Sequence, residues 1–227
     1  YDIYEDKDMT ESAKRYYANC TWFDDGVGEL LHYLKKVGEY ENTLFIYVND
    51  NGWEQTPDQE FWNDPMRSHN GGDKGKLSLF DQSFRTPIIF SWDGMIKRYV
   101  QLNHLIHSSY IPATILDYLG IEIPKSFYGK SYKDAIDGLD FSGREEIVGN
   151  ITTTRSFDDM MGKPTEGHWI RNKDWFLNWN ITKGEINLFD MKIDQNNTNN
   201  RADQKPEIVK TMIEKIKTWK DERIREF

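Results

Sequence analysis

The sequence is poor in three features that would each place a protein in a particular class: cysteine, long apolar runs and positive charge. Its single cysteine, Cys20, excludes a framework of internal disulfides. No apolar run approaches the roughly 20 residues that a helix needs to cross a bilayer, so we expect no membrane span. Lysine and arginine total 29 against 38 acidic residues, a formal net charge of −9. Without a basic stripe to neutralise phosphates, a nucleic-acid partner is not expected.

What remains is enough for a sizeable core. The 227 residues suffice for one large domain or a domain and a half, and aromatic residues make up 14% of them. Aromatic side chains bury much apolar area each, which offsets the polar average. The chain begins at Tyr1 in an acidic segment, residues 1–8, that reads as a loop, and no signal peptide is present. We therefore expect it to be part of a longer protein.

The stretch of greatest interest runs from residue 43 to residue 52. Residues 43–48 carry no charge and predict a strand buried on both faces, which ends abruptly in Asn49-Asp50-Asn51-Gly52. Ligands of open α/β sheets bind just outside the carboxyl ends of the strands. Asp50 and Asn51 are therefore candidate oxygen ligands for a hard cation such as calcium or magnesium. A plain turn remains the alternative, because Asn-Gly is a strong turn signal.

The first part of the chain predicts alternating helices and strands. Apolar residues recur with helical spacing over residues 10–37, with Thr10 as N-cap and Gly38 as the C-terminal stop, and Cys20 falls on the apolar stripe as an expected core thiol. A second buried strand is predicted over residues 85–92 and a helix over residues 111–119. These elements predict an α/β fold for residues 1–143.

The last part of the chain, residues 144–227, predicts an α+β subdomain. Short strands are expected over residues 147–153, 168–171, 175–179 and 186–190, and such close spacing indicates a small antiparallel sheet. A terminal helix is expected from Pro206 to Glu226, with its apolar residues on one face.

Two further groups of side chains are candidate site residues. Lys74 and Lys76 stand in a glycine-rich setting at the end of a long loop, residues 53–75, where ammonium and backbone groups suit an anion; a solvated loop is the alternative. His104 and His107, three residues apart, fit either metal ligands or paired structural histidines, and the structural interpretation is favoured.

Several segments line up, in order along the chain, with the second half of a type I sulfatase. The matching segments are Tyr16-Tyr17-Ala18 to Leu34, Asn42-Thr43-Leu44, Asp50-Asn51-Gly52, Gly75 to Asp81 with Arg85-Thr86-Pro87, Thr114 to Asp117 with Gly120-Ile121, Lys173-Asp174-Trp175, and Asn187 to Asp190. Each segment alone is a weak signal, whereas the collinear set covers nearly the whole chain. The sequence therefore resembles a member of that family.

The resemblance implies an alkaline-phosphatase-like mixed sheet flanked by helices and the hydrolysis of a sulfate ester. It implies a formylglycine hydrate as nucleophile and a divalent cation, expected to be calcium with magnesium as the alternative. By the same resemblance, Asp50 and Asn51 are two metal ligands, while Lys76 binds a sulfate oxygen and helps to protonate the leaving alkoxide. Lys74 takes that role if the alignment is displaced by two residues. The family also implies a periplasmic or secreted location.

The sequence departs from this family where the nucleophile should be. No Cys/Ser-x-Pro-x-Arg occurs, since Cys20 is followed by Thr21-Trp22, and the family's early aspartate pair has no counterpart. We therefore interpret the chain as the C-terminal part of a sulfatase. The missing N-terminal part is its expected partner, and alone the chain is expected to be inactive.

The expected ligand is a sulfated small molecule or carbohydrate, and its identity is not encoded in any motif. Arg67, His69 and Trp53, all in the loop of residues 53–75, are candidates for contacting it. Their alternative role is that of ordinary surface-loop residues.

Two other functions stay open. One is a phosphatase or phosphodiesterase of the same superfamily, although Asn51, a neutral oxygen ligand, suits one hard cation better than zinc. The other is a non-catalytic glycan-binding domain in which Trp169, Trp175 and Trp179 stack on sugar rings, although core packing is the simpler role for these residues.

Overall fold

A computed structural model describes residues 2–53, 74–76, 78–153 and 165–225. Among them, two compact units are distinguished by their internal contacts. The first contains residues 2–48 and 87–100, and the second contains the other described residues. The predicted boundary between residues 143 and 144 concerns a different division of the chain and stays a prediction. Within the described part of the chain, no helix combines the length and apolarity that crossing a bilayer requires.

The first unit is built on one long helix. It comprises α1 (Asp2–Glu5), α2 (Glu11–Val37), a 3₁₀ turn (Tyr40–Asn42) and two antiparallel strands, β1 (Phe45–Val48) and β2 (Ile88–Ser91). The ends of α2 confirm the sequence prediction, because the Thr10 side chain accepts a hydrogen bond from the amide of Ala13 and Gly38 adopts a left-handed φ of 79°. Both caps are local features, which the sequence displays directly.

Three expectations about this unit are wrong. The strand after residue 43 is not buried on both faces, since Tyr47 and Val48 are 38% and 40% exposed. Cys20 is exposed rather than a core thiol, and no residue of α2 is buried. The physical reason is the same for both: within this unit the described residues form only a two-stranded sheet, which is too small to cover apolar faces. In addition, residues 2–5 form the short helix α1 instead of a loop.

The second unit contains the larger sheet and four of the described helices. Its elements are α3 (Asp81–Phe84), α4 (Tyr110–Tyr118), α5 (Lys133–Ile136), β3 (Glu146–Thr153), β4 (Thr165–Asn172), β5 (Trp175–Asn180), β6 (Glu185–Asp190), a 3₁₀ turn (Ala202–Gln204) and α6 (Pro206–Arg225). The predicted helix over residues 111–119 is confirmed by α4. Of the strand predicted over residues 85–92, Ile88–Ser91 form β2, while Arg85 is extended but only ends α3. The expectation that this strand is buried is wrong, since Ile89 is 52% exposed.

The four strands β3 to β6 form an antiparallel sheet in sequence order, as the spacing of the short strands predicted. The terminal helix α6 packs on one face, where Met212 and Ile216 meet Ile170, Leu177 and Leu188. The opposite face carries Phe176, Phe189 and Met191, against which Phe80, Phe84 and Trp169 pack. Both the sheet and the terminal helix of the predicted subdomain are therefore confirmed, and α3 lies against the sheet face opposite α6.

A histidine is buried beside α6. His168, on β4, is 6% exposed and lies near the rings of Trp179 and Trp219. Neither ring nitrogen has a hydrogen-bond partner among the described residues. Burial, assisted by the charge of Lys220, lowers the pKa of His168 against a smaller opposing effect of Glu166. The folded protein therefore disfavours the protonated form of this imidazole.

His168→Phe should make the stability of the protein less sensitive to acid. Because the pKa of His168 is lower in the folded state than its unfolded value of about 6.5, the unfolded state binds more protons and stability falls as pH drops below that value. Thermal melting between pH 8 and pH 5 measures this slope. The exposed His32 offers the control, His32→Gln, which should leave the slope unchanged. Equal slopes for the wild type and His168→Phe would contradict the prediction.

Candidate functional site

The segment that carries Asp50 and Asn51 is fixed by backbone hydrogen bonds. The amide of Gly52 donates to the carbonyl of Ser83 at 2.9 Å, and the amide of Trp53 donates to the carbonyl of Gln82 at 2.8 Å. A Cβ atom on Gly52 would overlap the Gln82 carbonyl, so this close approach requires glycine. The predicted ligand pair is therefore anchored against α3.

A third backbone hydrogen bond connects the stretch that runs from Lys74 to Asp81, called the lysine segment below, to residues 50–53. The amide of Lys76 donates to the carbonyl of Trp53 at 2.5 Å. Trp53 follows Asp50 by three residues, so residues 50–53 and the chain around Lys76 are neighbours. The structure thus brings together two stretches that the sequence placed about 25 residues apart. The chemical roles of Asp50, Asn51 and Lys76 stay predictions.

The donor chemistry of this segment fits a hard cation. The Nδ2 of Asn51 donates to the carbonyl of Gly52 at 2.8 Å, which leaves Oδ1 as the side-chain atom that can ligate a metal. Asp50 is exposed and offers carboxylate oxygens. In the described ranges, no three His, Cys, Asp or Glu side chains converge as a metal cluster. Two such side chains could supply only part of the six to eight oxygen ligands that calcium prefers, and their role as ligands stays a prediction.

The two candidate lysines differ in their surroundings. Lys74 directs its Nζ to the carbonyl of Asn197 at 2.7 Å and also lies 5.3 Å from the centroid of the Phe80 ring. Lys76 is half-buried two residues further on. This bond gives Lys74 a structural task, while the assignment of Lys76 as the group for an anion stays a prediction.

A buried carboxylate that the sequence analysis did not identify follows these lysines a few residues later in the sequence. Asp81 is 2% exposed and faces Arg85 Nε at 2.6 Å and Arg171 Nε at 3.8 Å. Burial raises the pKa of Asp81 despite the two guanidinium groups, which act in the opposite direction. Because Arg171 lies on β4, 90 residues from Asp81 in the sequence, no local pattern signals this cluster.

The remaining candidates from the sequence are His104, His107, Trp53, Arg67 and His69. His104 shares a hydrogen bond with the Tyr132 hydroxyl and His107 with Ser109, which supports the structural interpretation of both histidines. Trp53 is exposed and adjoins the site through its backbone. Arg67 and His69 lie outside the described residues.

The tryptophans offered for sugar stacking have other neighbours. Trp175 and Trp179 pack against the core that the sheet forms with α6. Trp169 stacks on Phe84, with the ring centroids 3.9 Å apart. These contacts favour core packing as their role.

Comparison with family models finds two matches. Residues 1–121 match the model described as sulfatase, and residues 72–222 match the model described as N-sulphoglucosamine sulphohydrolase, C-terminal. Together the two models cover nearly the entire chain.

Curated relatives include named sulfatases. The chain is 28% identical over 195 residues to an arylsulfatase of Clostridium perfringens, which covers 85% of this chain and 36% of the relative. It is 24% identical over 215 residues to an N-acetylglucosamine-6-O-sulfatase of Bacteroides thetaiotaomicron, which covers 91% of this chain and again 36% of the relative. The chain thus spans about a third of the length of these relatives.

Solved structures share the fold. A protein in complex with its substrate D-glucosamine-2-N,6-O-disulfate superposes with a TM-score of 0.75 at 20% identity, over 97% of this chain and 44% of that one. A putative sulfatase from Bacteroides fragilis gives a TM-score of 0.70 at 22% identity, over 96% of this chain and 48% of that one. At this level of identity the likeness shows the fold alone, and it confirms the predicted α/β class with its small α+β subdomain.

Replacing the glycine at the anchor should disrupt the site. Gly52→Ala places a methyl group on the Gln82 carbonyl, and backbone on both sides must shift, so we expect marked destabilisation. Gly26→Ala is the matched control, because nothing lies within 4 Å of a Cβ there and helix α2 should gain up to about 1 kcal/mol. Urea denaturation of both variants measures the difference. A Gly52→Ala variant as stable as the wild type would contradict the observed close approach.

Proposed function

The chain belongs to the sulfatase family, whose model matches residues 1–121, and from this premise we propose that it forms part of an enzyme that hydrolyses sulfate esters. One observation supports assigning the site to residues 50–76. The amide of Lys76 donates to the carbonyl of Trp53, and this supports placing the chain around Lys76 near residues 50–53. A carboxylate and an amide oxygen can ligate a divalent cation, and a lysine ammonium can bind an anion and protonate a leaving alkoxide.

Asp50 and Asn51 are proposed to hold a divalent cation, calcium in preference to magnesium. Both offer oxygen, and the intramolecular hydrogen bond of Asn51 turns its amide so that Oδ1 is the available ligand atom. When bound, the cation would offset the negative charge of the sulfate oxygens. The remaining ligands are proposed to come from outside these 227 residues.

Lys76 is proposed to bind a sulfate oxygen and to assist the leaving group. As the bond between sulfur and the ester oxygen breaks, negative charge develops on that oxygen, and the ammonium donates a proton to it. The backbone bonds to Trp53 and α3 hold the chain in place beforehand, so little reorganisation is needed during the reaction.

The attacking group is proposed to be a formylglycine located outside these 227 residues. The sequence contains no Cys/Ser-x-Pro-x-Arg from which one is made. The site described here therefore represents the half that holds the metal and the leaving group. On the same family grounds, the location is proposed to be periplasmic or secreted.

The substrate is proposed to be a sulfated carbohydrate. One relative is named an N-acetylglucosamine-6-O-sulfatase, and one structural neighbour is bound to D-glucosamine-2-N,6-O-disulfate. The packing of Trp169 on Phe84 and of Trp175 and Trp179 in the core weighs against the alternative of a non-catalytic domain that stacks on sugars.

Lys76→Ala should lower kcat on an aryl sulfate by about 10²- to 10³-fold in the complete gene product, the usual loss for one preorganised donor at a developing charge. Lys74→Ala should cost less, because that ammonium already satisfies the carbonyl of Asn197. Lys125→Ala, at an exposed lysine, is the control. A larger loss for Lys74→Ala than for Lys76→Ala would reassign the role to Lys74.

Asp50→Asn should weaken calcium binding in the complete gene product, because a charged ligand becomes neutral. Titration calorimetry with calcium measures this without any turnover. Asp140→Asn, at an exposed acid of the same unit, is the matched control and should bind calcium as the wild type does. Unchanged affinity in Asp50→Asn would remove this residue from the proposed ligand set.

The 227-residue chain by itself should not turn over an aryl sulfate, because it has no nucleophile motif. Assay beside the complete gene product, on matched sulfate and phosphate esters, tests both the fragment and the reaction. Turnover by the fragment alone would refute the division of the site. Preference of the complete product for the phosphate ester would favour a phosphatase of the same superfamily.

A further inference from the structure

One residue of the loop between β6 and α6 has an unusual combination of properties. Asn197 is 2% exposed and has a φ of 55°, in the left-handed region that few side chains other than asparagine, aspartate and glycine enter easily. Its side chain is a buried amide, which is costly unless it is hydrogen-bonded. The hydrogen-bond partners of Asn197 therefore indicate its role.

Every polar group of Asn197 has a partner, and two of the partners lie in the lysine segment. The carbonyl accepts from Lys74 Nζ at 2.7 Å, and Oδ1 accepts from the backbone amide of Asp81 at 3.3 Å. Nδ2 donates to the sulfur of Met191 at 3.4 Å, and the backbone amide donates to the carbonyl of Asp194 at 3.3 Å. Asn197 thus joins its own loop to a segment more than 110 residues earlier in the sequence.

The loop that carries Asn197 is itself braced. The carboxylate of Asp194 accepts hydrogen bonds from the amide and hydroxyl of Thr198 and from the amide of Asn199 at 2.8 to 3.0 Å. Next to Asn197, the Oδ1 of Asn196 accepts from Gln82 Nε2 at 3.4 Å. The contact with the lysine segment is therefore made by an internally fixed turn.

Lys76 lies in sequence between the two points that Asn197 holds, Lys74 and Asp81. It is also attached through its own amide to Trp53. The chain that carries Lys76 is thus held from two sides, by the Asp50–Trp53 segment and by the loop after β6. Loss of either attachment leaves the lysine free to shift, and a displacement of about 1 Å at a reacting centre can cost about 10²-fold in rate.

We propose that Asn197 is a positioning residue for Lys76, through which the loop after β6 sets the location of the leaving-group lysine. The inference rests on the proposed function of Lys76. It assigns the loop between β6 and α6 a part in the reaction, which Asn197 exerts through the position of Lys76. It also explains why a left-handed, buried position is occupied by asparagine, since glycine there would satisfy the backbone but would lose the bond to Asp81.

A purely structural role for Asn197 would also lower activity, so the test must separate the two. If Lys76 protonates the leaving alkoxide, its displacement penalises esters of weakly acidic alcohols more than esters of acidic ones. Phenyl sulfate and 4-nitrophenyl sulfate form such a pair. A loss that merely reflects less folded enzyme would affect both substrates by the same factor.

The experiment compares Asn197→Gly with Asn199→Gly in the complete gene product, below the melting temperature of each. Glycine accepts the positive φ, so the backbone is preserved while both side-chain bonds are lost. We expect kcat on phenyl sulfate to fall about 10- to 100-fold, and on 4-nitrophenyl sulfate several-fold less. Asn199 is an exposed residue of the same loop. Asn199→Gly keeps the backbone bond to Asp194 and should retain wild-type rates on both esters.

Lys74→Met provides a second variant in case Asn197→Gly does not fold, since it removes the bond from Lys74 to the Asn197 carbonyl and leaves the Asn197 side chain in place. It should shift the ratio of the two rates in the same direction by a smaller factor. An unchanged ratio in both variants, with Lys76→Ala altering it, would overturn the positioning role and leave the proposed function standing. An unchanged ratio in Lys76→Ala itself would instead overturn the role of Lys76, and with it both proposals.

Discussion

The contact between Gly52 and the backbone of α3 is the constraint on which the rest of the candidate site depends. The amides of Gly52 and Trp53 donate to the consecutive carbonyls of Ser83 and Gln82. Only the absence of a side chain at residue 52 allows the two backbone segments to approach so closely. Such bonds fix the course of the chain without using the side chains of Asp50 or Lys76. A functional site gains from this, because its backbone is in place before any ligand binds.

This anchor is supported in turn by the face of the sheet opposite α6. Phe80 immediately precedes α3 and Phe84 is its last residue, and both pack on aromatic side chains of β4, β5 and β6, while the Asp81 carboxylate faces Arg171. Taking charged groups out of water is costly, and the raised pKa of Asp81 reflects that cost. The cluster is therefore better understood as orienting α3 than as a large source of stability. The sheet and the lysine segment form one packed assembly, which is why a loop near the C-terminus is in contact with residues 74–81.

How far the sequence could be interpreted depended on the range of the interactions involved. The caps of α2, the antiparallel strands of the last part and the apolar face of α6 are set by neighbours within a few residues, and the sequence predicted all of them. The exposure of Cys20 and of β1 depends on what covers a helix or a sheet in three dimensions, and there the predictions were wrong. Arg171, which faces Asp81, and the Lys74 and Asp81 partners of Asn197 lie roughly 90 to 120 residues away in the sequence, beyond any periodic signal.

By itself, the sequence determined the order of the strands and of the longer helices α2, α4 and α6, the family and a short set of candidate residues at Asp50, Asn51 and Lys76. Local periodicity and ordered motifs survive in one dimension. Only the tertiary structure decided that Lys76 adjoins the Asp50 segment, that Lys74 is occupied by a backbone carbonyl, and that Asn197 connects the lysine segment to the loop before α6. The reason is physical: hydrogen bonds and packing act over a few ångströms in space, whatever the separation along the chain.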